Sequence, residues 1–508
     1  MTVRAALAGL ALLLNQPLIA GADPLDVPAS PLRPAASRPA AMEFSWTPLR
    51  LPTGERIALA GFNYLLAVDE DWGFGPSLYG AAQGNYGGFF TFGISAQRRL
   101  RLSAHTHLAL GLSAVAGGGL SSDRMRPGGG LMLRPEISLR TEFGDWYAGI
   151  ALSHVGFPSG NIGDGSVGLV LGRALDFHSF APADAGRRGT SRDRSGVGFD
   201  EILLFAGSYA PEADTRDRSG NPSTARLGTA GGEGRRYLDE GSWWSLEAAG
   251  ATSGNADGYM DVFASAGQDW ALGDSGLRLG GRLGLGLGGG GNVDTGSGWL
   301  WRAGPSLRWQ TPWGPSLHLD AGWNAAFGGH FSARYLRLSL GLPLEARPQP
   351  GGGERRSGTV REQQFYSSVQ YNPDVLFKDG RREPVTHLAI MMTRQLDEAL
   401  YGIAQAGSAA FGHAGAYSFG LIGLGLQSHG PQPGQWRVGA EALLGAGGGG
   451  GLAVGGGAIA QWELWAQRDW DRLRLRAGLG QWRSLASSDQ STPLLNLSLG
   501  YAYGVPGR

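Results

Sequence analysis

The sequence predicts an all-β fold, an antiparallel transmembrane β-barrel of about 22 strands that is built from three diverged repeats of one unit. Apolar residues alternate with glycine, arginine or polar residues over much of the chain, and a period of two is typical of strands. The alternating runs reach about 10 to 14 residues, close to the ~9–11 that a tilted strand needs to cross a bilayer. The same sequence landmarks also recur in one order in three parts of the chain.

The N-terminus has the pattern of an export signal. Arg4 is followed by an apolar run over 5–14, and small residues precede the cleavage point that we predict after residue 22. Residues 1–22 are therefore predicted to be a signal peptide, 23–41 a Pro/Ala-rich flexible lead-in, and 42–508 the barrel. After the signal, no run approaches the ~20 apolar residues of a membrane-spanning helix.

Composition excludes several classes of protein. The chain has no cysteine, so neither disulfides nor thiolate metal ligands are available to it. The 43 basic residues balance the 43 acidic ones, which gives no reason to expect nucleic acid as a partner. The 88 glycines follow no Gly-X-Y period, and therefore do not indicate collagen. We predict no cofactor and no metal site.

The alternation assigns the two faces of each strand. In one run Leu283 and Leu285 alternate with Arg282 and Gly284, so leucine covers one face while arginine and glycine cover the other. A soluble sandwich would show the same pattern, but tryptophans near strand ends are typical of membrane barrels. Those beside turn residues are Trp146, Trp243, Trp244, Trp270, Trp299, Trp301, Trp313, Trp436 and Trp470.

The last predicted strand alternates apolar residues toward aromatic ones through Leu497, Leu499, Tyr501 and Tyr503. It resembles the closing strand of bacterial outer-membrane β-barrel proteins, although residues 504–508 follow the aromatic pair here. The resemblance implies the bacterial outer membrane as the location and outer-membrane lipids as neighbours. It also implies the barrel-assembly machinery as a partner during biogenesis.

We predict three repeat units, at about 54–180, 198–346 and 360–504. The four landmarks are a strand with a tyrosine, an Asp-Glu pair, a glycine cluster and a closing Leu-rich strand. The tyrosines are Tyr64, Tyr209 and Tyr371, and the Asp-Glu pairs are at 69–70, 239–240 and 397–398. The glycine clusters are at 117–119, 288–291 and 447–451, and the Leu-rich strands are at 168–177, 337–346 and 496–505. We predict seven strands in the first unit and seven or eight in each of the others, which gives 21 to 23, and 22 is the even number in this range.

Small residues on the presumed inner face indicate that something approaches the barrel wall closely. Examples are Gly111, Gly284, Gly286, Gly439, Gly478 and Gly500. A loop folded into the lumen, tight curvature or three linked smaller barrels would each explain them. One large barrel is preferred because the segments between units are short.

The candidate site residues are six carboxylates: Asp69, Glu70, Asp239, Glu240, Asp397 and Glu398. In one lumen they would form a ring that attracts cations. The alternative is that each pair merely ends a strand at a hairpin turn.

A second group faintly resembles the His/Ser/Asn neighbourhood of outer-membrane lipid hydrolases. It consists of His154, Ser159 and Asn161, of which His154 and Ser159 point to opposite faces of one strand unless a turn intervenes. The other units do not preserve this set, so we expect no enzyme.

Three charged, Gly-rich segments at 181–198, 214–236 and 346–360 are predicted to be exposed loops, whose arginines could contact lipopolysaccharide phosphates. The expected function is passage of a solute or polymer through the outer membrane. A non-conducting structural or assembly barrel at the cell surface is the alternative, and a lipid hydrolase is the third possibility.

Overall fold

The structure is a computed structural model that describes residues 36–119, 125–312, 314–345, 356–430, 434–487 and 489–507. The predicted signal peptide, residues 23–35 of the predicted lead-in, and Trp313 lie outside the described residues. Within the described part, no helix has both the length and the apolar character needed to cross a membrane.

The first eight strands close into an antiparallel barrel, here called the first barrel. Its strands are β1 (Ala36–Arg50), β2 (Arg56–Ala67), β3 (Trp72–Gln83), β4 (Phe90–Arg101), β5 (Thr106–Gly118), β6 (Leu131–Phe143), β7 (Trp146–Gly156) and β8 (Gly163–Ser179). The barrel closes because β1 pairs with β8 as well as with β2.

A short strand, β9 (Arg188–Ser191), lies in the sequence between the first barrel and the second. The second barrel is also closed by eight strands, with β10 paired to β17. These are β10 (Glu201–Pro211), β11 (Leu227–Tyr237), β12 (Ser242–Ser253), β13 (Met260–Ala271), β14 (Leu277–Gly289), β15 (Trp299–Gln310), β16 (Ser316–Ala326) and β17 (Ser332–Pro343).

The third barrel closes through the pairing of β18 with both β19 and β25. Strand β9 adds to the start of β18 beyond the closed part. The strands are β18 (Arg356–Leu376), β19 (Arg382–Gln395), β20 (Leu400–Phe411), β21 (Ser418–Gln427), β22 (Trp436–Gly448), β23 (Ala458–Trp470), β24 (Leu473–Ser484) and β25 (Ser491–Gly507).

The prediction of one barrel of about 22 strands is therefore wrong, and its alternative of three linked smaller barrels describes the structure. The described residues form 25 strands. Each eighth strand pairs with the first strand of its own unit, so no strand ladder runs from one unit into the next around a common lumen. Hydrogen-bond closure within each unit leaves it no unpaired barrel edge.

Three strands were missed in the sequence: β1, β11 and the short β9, which lies inside the segment 181–198 that was predicted to be a loop. Strand β1 begins at Ala36, inside the predicted lead-in 23–41, where proline and alanine hide the alternation. Strand β11 begins inside 214–236, which was predicted to be a loop, and ends at Tyr237. The first unit thus begins before residue 54, and Tyr64 lies on a second strand while Tyr209 and Tyr371 lie on first strands.

The other three landmarks occupy equivalent places. Each Asp-Glu pair follows the second strand of its barrel, each glycine cluster ends or follows the fifth, and each Leu-rich run belongs to the eighth. Threefold repetition of one eight-stranded unit is therefore the architecture of this chain.

The predicted faces are confirmed. Leu283 is 69% exposed on the outside of the second barrel, whereas Arg282 is 2% exposed and points inside. Outward leucines on β8, β16, β17, β24 and β25 are exposed in the same way. An outer surface of this kind is suited to the hydrocarbon core of a membrane.

Each barrel has two different ends. At the turn end, where the linkers between barrels also lie, short connections such as 68–71, 238–241 and 396–399 join the strands. The loop end is the opposite end of each barrel, and 212–226 is the longest of its connections. Exposed tryptophans near the turn end are Trp72, Trp146, Trp270, Trp309, Trp436 and Trp470, whereas Trp301, Trp323 and Trp462 are exposed in the halves of their strands nearer the loop end.

Three predicted members of that aromatic belt lie elsewhere, and one of them, Trp301, is exposed near the loop end. Trp243 is buried inside the second barrel, where its ring lies 3.7 Å from the Arg235 guanidinium carbon. Trp299 lies at the loop end and donates from Nε1 to the Ala82 carbonyl of the first barrel over 2.8 Å.

The three barrels contact one another in a cycle at the loop end. In each contact, the connection between the third and fourth strands of one barrel meets the connection after the fifth strand of another. Gly87 N donates to Gly296 O over 2.9 Å, and Gly415 N donates to Gly128 O over 3.1 Å. The remaining contact sets Gly258 against Gly449, beside an ion pair between Lys378 and Asp257 at 2.8 Å.

The glycine clusters make this cycle possible. A Cβ on Gly448 would overlap the backbone of residues 257–258, and one on Gly88 would overlap Gly290. Gly290 also has a φ of +89°, a conformation that other residues adopt only with strain. The landmark glycines are therefore the places where the backbones of two barrels approach each other.

A buried ionic cluster joins the linkers at the turn end. Arg356 Nη1 lies 2.8 Å from Asp200 and 3.0 Å from Glu345, and Arg194 lies 3.3 Å from Asp200. Burial raises the pKa of Glu345 to about 7, although Arg356 acts in the opposite direction. The cluster joins the start and end of the second barrel to the start of the third.

Candidate functional site: the charged barrel interiors

Strand alternation places charged side chains inside all three barrels, where they are almost completely buried. They include Glu43, Arg134, Glu136 and Arg140 in the first; Glu233, Arg235, Glu247, Asp261, Arg282, Arg302, Asp320 and Arg337 in the second; and Glu362, Arg437, Glu441, Glu463, Asp469, Arg474 and Arg476 in the third. What these residues can do depends on whether a path remains between them.

In the first barrel, pairs span the interior between opposite walls. Arg140 on β6 pairs with Glu43 on β1, and neither strand neighbours the other in the sheet. Tyr147 and Gln97 donate to the same carboxylate over 2.7 and 2.6 Å. Arg134 donates to Thr47 over 3.0 Å, again across the interior.

The second barrel holds the largest network. Arg282 lies 3.4 Å from Glu233, 3.0 Å from Glu247 and 3.4 Å from Asp320. Arg337, on another wall, contacts the same three carboxylates. Each guanidinium thus bridges several strands in the middle of the barrel.

Two further groups extend this network toward the ends of the second barrel. Near the loop end, Arg302 donates to Tyr209 over 2.6 Å, and Tyr209 donates to Asp261 over 2.7 Å. Near the turn end, Tyr237 donates to Glu201 over 2.6 Å. Side chains therefore bridge the walls from one end of this barrel to the other.

In the third barrel, Arg437 lies 3.0 Å from Glu362 and 2.9 Å from Asp469, while Arg474 lies 2.8 Å from Glu362. Beside them is a cavity of about 10 Å³, space for about one water molecule. Its lining includes Glu362, Gln364, Tyr401, Trp465, Gln467 and Arg476.

These contacts fill the lumens. An eight-stranded barrel is just wide enough for side chains to occupy its interior, and here the occupants are oppositely charged and bonded to one another. Buried charges require such partners because an unpaired one is costly. Within the described residues, the interiors are packed cores and not open pores.

The inward glycines have the same explanation. A Cβ on Gly439 would overlap the Trp465 ring, one on Gly500 the Tyr366 ring, and one on Gly478 the Glu463 carboxylate. The close approach that the sequence indicated is thus made by large side chains of neighbouring strands that lie over the glycines.

The six predicted carboxylates do not surround one opening, because each pair belongs to a different barrel. All three pairs lie in exposed turns between the second and third strands. Asp69 accepts from Trp72 N over 2.7 Å, Asp239 from Ser242 N over 2.6 Å, and Asp397 from Leu400 N over 2.6 Å. The bonds from Ser242 lower the pKa of Asp239. The aspartates therefore shape turns.

The three hydrolase candidate residues also have separate positions and structural roles. His154 lies on the exposed outer face of β7. Ser159 Oγ accepts from Gly129 N over 2.8 Å, and Asn161 Oδ1 accepts from Arg126 N over 2.7 Å. Both side chains brace a neighbouring loop, and among the described residues no hydrogen bond joins either to His154. The described part of the chain contains no cluster of three or more side chains able to hold a metal ion.

The buried ion pairs were missed as a site, although the sequence contained a signal for them. Arg282 is assigned to an inner face by the alternation, and Arg337 and Arg476 hold equivalent positions between leucines. Glu247 and Glu441 also occupy inward positions, on β12 and β22. Acids and arginines that both occupy inward positions of one small barrel predict neutralising pairs, because a buried charge requires a partner.

Closed antiparallel barrels with an apolar outer belt that is flanked by aromatic residues are the β architecture that crosses bacterial outer membranes. The described structure has each of these features. The chain is a β-barrel protein of the bacterial outer membrane, as the closing strand indicated.

Comparisons with known proteins add little to this. No family model and no curated protein matches the chain. Among solved structures, Pseudomonas aeruginosa OccK8 (OprE) is 10% identical with a TM-score of 0.22, covering 92% of this chain and 98% of that one. P. aeruginosa OccK2 (OpdF), solved with glucuronate, is 12% identical with a TM-score of 0.22 and coverages of 93% and 99%. Acinetobacter baumannii OccAB3 is 11% identical with a TM-score of 0.20 and coverages of 92% and 99%. Similarity this low supports no inference about the function of this chain.

Proposed function

We propose that this protein is a non-conducting scaffold of the outer membrane, in which three filled barrels hold loops at the cell surface and linkers on the periplasmic side. The observation that carries the proposal is the set of ion pairs that crosses the interior of every barrel. This is the structural role that the sequence analysis left as its alternative to transport.

Long loops of outer-membrane barrels face outward and short turns face the periplasm. The loop end of this protein therefore belongs at the cell surface. Because backbone contacts join all three barrels there, the loops form one continuous platform. A partner could bind this platform without any change in the lumens.

Passage of a solute is the second candidate, and the cavity beside Glu362 and Arg476 favours it. It would need movement of the third barrel's ion pairs, because the cavity holds only about one water molecule. The two candidates make opposite predictions for electrical conductance.

Planar-bilayer recording tests the proposal directly. The wild-type protein is expected to give no conductance steps. The triple variant Arg437→Ala, Arg474→Ala, Arg476→Ala, which removes the arginines whose ion pairs cross the third barrel from the turn end inward, should give steps and so show that insertion is detected. Regular steps from the wild type would overturn the scaffold and support transport.

Lipopolysaccharide remains a proposed partner. In the described parts of the three Arg-rich segments, only residues 214–226 lie at the loop end, and Arg218 there already donates to Gly87 O of the first barrel over 2.7 Å. Exposed Arg226 is the side chain that we propose to contact lipid phosphate. The barrel-assembly machinery is the partner proposed for membrane insertion.

A further inference from the structure

The cycle of contacts places the outer faces of certain strands toward a space shared by all three barrels. In the second barrel, β12 contacts the third barrel and β14 contacts the first, so β13 faces this space. In the first barrel it is faced by β3 and β4, and in the third by β20 and β21, for the same reason.

This space is closed at the loop end and open toward the turn end. Ala82, Phe90 and Ala410 are outward-pointing residues near the loop end, yet all three are buried, because other barrels cover them. Farther along, outward Ala264, Ala266 and Ala404 are exposed. The result is a crevice with one mouth.

The wall of the crevice is apolar. It is formed by Leu78, Ile94, Val262, Ala264, Ala406 and Ile422, none of which offers a polar side chain. The small side chains of Ala264 and Ala406 leave space in the crevice that leucine side chains would occupy. Near the mouth, on the same face of β4, Arg98 is half-exposed and lies 3.6 Å from exposed Asp71.

We propose that this crevice binds one acyl chain of a phospholipid from the periplasmic leaflet, with the headgroup phosphate near Arg98. An apolar crevice at membrane depth excludes water, since apolar surface costs about 25 cal/mol per Å² to hydrate. A peptide would leave backbone groups unsatisfied there, whereas an acyl chain needs no hydrogen bonds. Lipopolysaccharide resides in the opposite leaflet, toward which the crevice is closed.

The test is retention of phospholipid by the full chain after extensive detergent exchange, measured by native mass spectrometry. The wild type should keep a bound phospholipid. Ala264→Trp, which fills the crevice, should lose most of it. Ala477→Trp, on the exposed outer face of β24 and away from the strands that face the crevice, should retain it.

A second pair of variants tests the headgroup. Arg98→Gln should reduce retention, whereas Arg173→Gln should not. Arg173 is a matched control because it is similarly exposed on β8, with Asp145 at 4.0 Å, but lies away from the crevice. Heat-modifiable migration on gels verifies that each variant forms closed barrels, and Ala404→Trp replaces Ala264→Trp if that variant does not assemble.

Three results would overturn the proposal. The wild type could retain no lipid, the two tryptophan variants could lose lipid equally, or the retained molecule could be lipopolysaccharide or a peptide. Retention in the wild type with selective loss in Ala264→Trp and Arg98→Gln would support it.

Discussion

The indole of Trp465 on β23 lies over Gly439 on β22, and its Nε1 donates to the Tyr401 hydroxyl over 2.7 Å. A Cβ on Gly439 would overlap the ring, so Gly439→Ala must displace Trp465 or strain the backbone. We expect this variant to lower the free energy of unfolding by about 1–3 kcal/mol. Urea unfolding in lipid vesicles measures it.

The control for that variant is Gly420→Ala. Gly420 is exposed on the outside of β21, and nothing lies within 4 Å of a Cβ there. The free energy of unfolding of Gly420→Ala should therefore equal that of the wild type. Equal destabilisation of both variants would mean that Trp465 does not occupy the place described.

The filled interior changes what is expected of Arg282. An open lumen would tolerate Arg282→Leu, but here the substitution leaves Glu233, Glu247 and Asp320 with one guanidinium fewer. We expect a loss of about 3–5 kcal/mol in the free energy of unfolding. Arg334→Leu, at an exposed pair with Glu212, should cost little. A neutral Arg282→Leu would contradict the packed interior.

Leu283→Arg tests the opposite face of the same strand. If Leu283 faces lipid near the middle of the membrane, arginine there should cost about 2–4 kcal/mol. The loss should be measurable as poorer insertion into vesicles. The same substitution should do less at Leu272, in a connection at the turn end. Efficient insertion of Leu283→Arg would place that face away from the hydrocarbon.

The turn aspartates should affect assembly and not conductance. Asp239→Ala removes the acceptor for Gly241 N and Ser242 N, so the yield of folded, heat-modifiable protein should fall. Glu240→Gln is the control, because only the Glu240 backbone carbonyl accepts a described hydrogen bond. An unchanged yield of folded protein in Asp239→Ala would contradict the role of this carboxylate in shaping the turn.

Glu345 should make stability depend on pH. Its pKa is raised from 4.5 to about 7 in the folded protein, so folding favours the protonated carboxyl. The associated stability is complete below about pH 4.5 and is lost as the pH rises through about 7, by about 1–3 kcal/mol. Thermal unfolding of wild type and Glu345→Gln across this range measures it. The difference between them should be constant if the carboxyl does not titrate there.

The sequence alone determined the strands, their faces and the threefold repetition. Alternation of leucine with arginine or glycine is a local property, and it set Leu283 outward and Arg282 inward before any fold was known. The order of the Asp-Glu pairs, glycine clusters and Leu-rich strands likewise gave the three units. The weakest strand signals, in β1 and β11, lay where proline, glycine and alanine obscure the period.

Only the tertiary structure decided how the strands close. Whether an eighth strand pairs with its own first strand or with the next unit depends on hydrogen bonds between residues more than a hundred positions apart, such as Phe44 with Leu171. That choice turned one presumed lumen into three small ones. It also brought Glu247 within reach of Arg282 and Arg337, because side chains fill the interior of an eight-stranded barrel. Finally, it placed the glycine cluster of each unit in contact with a connection of a neighbouring barrel.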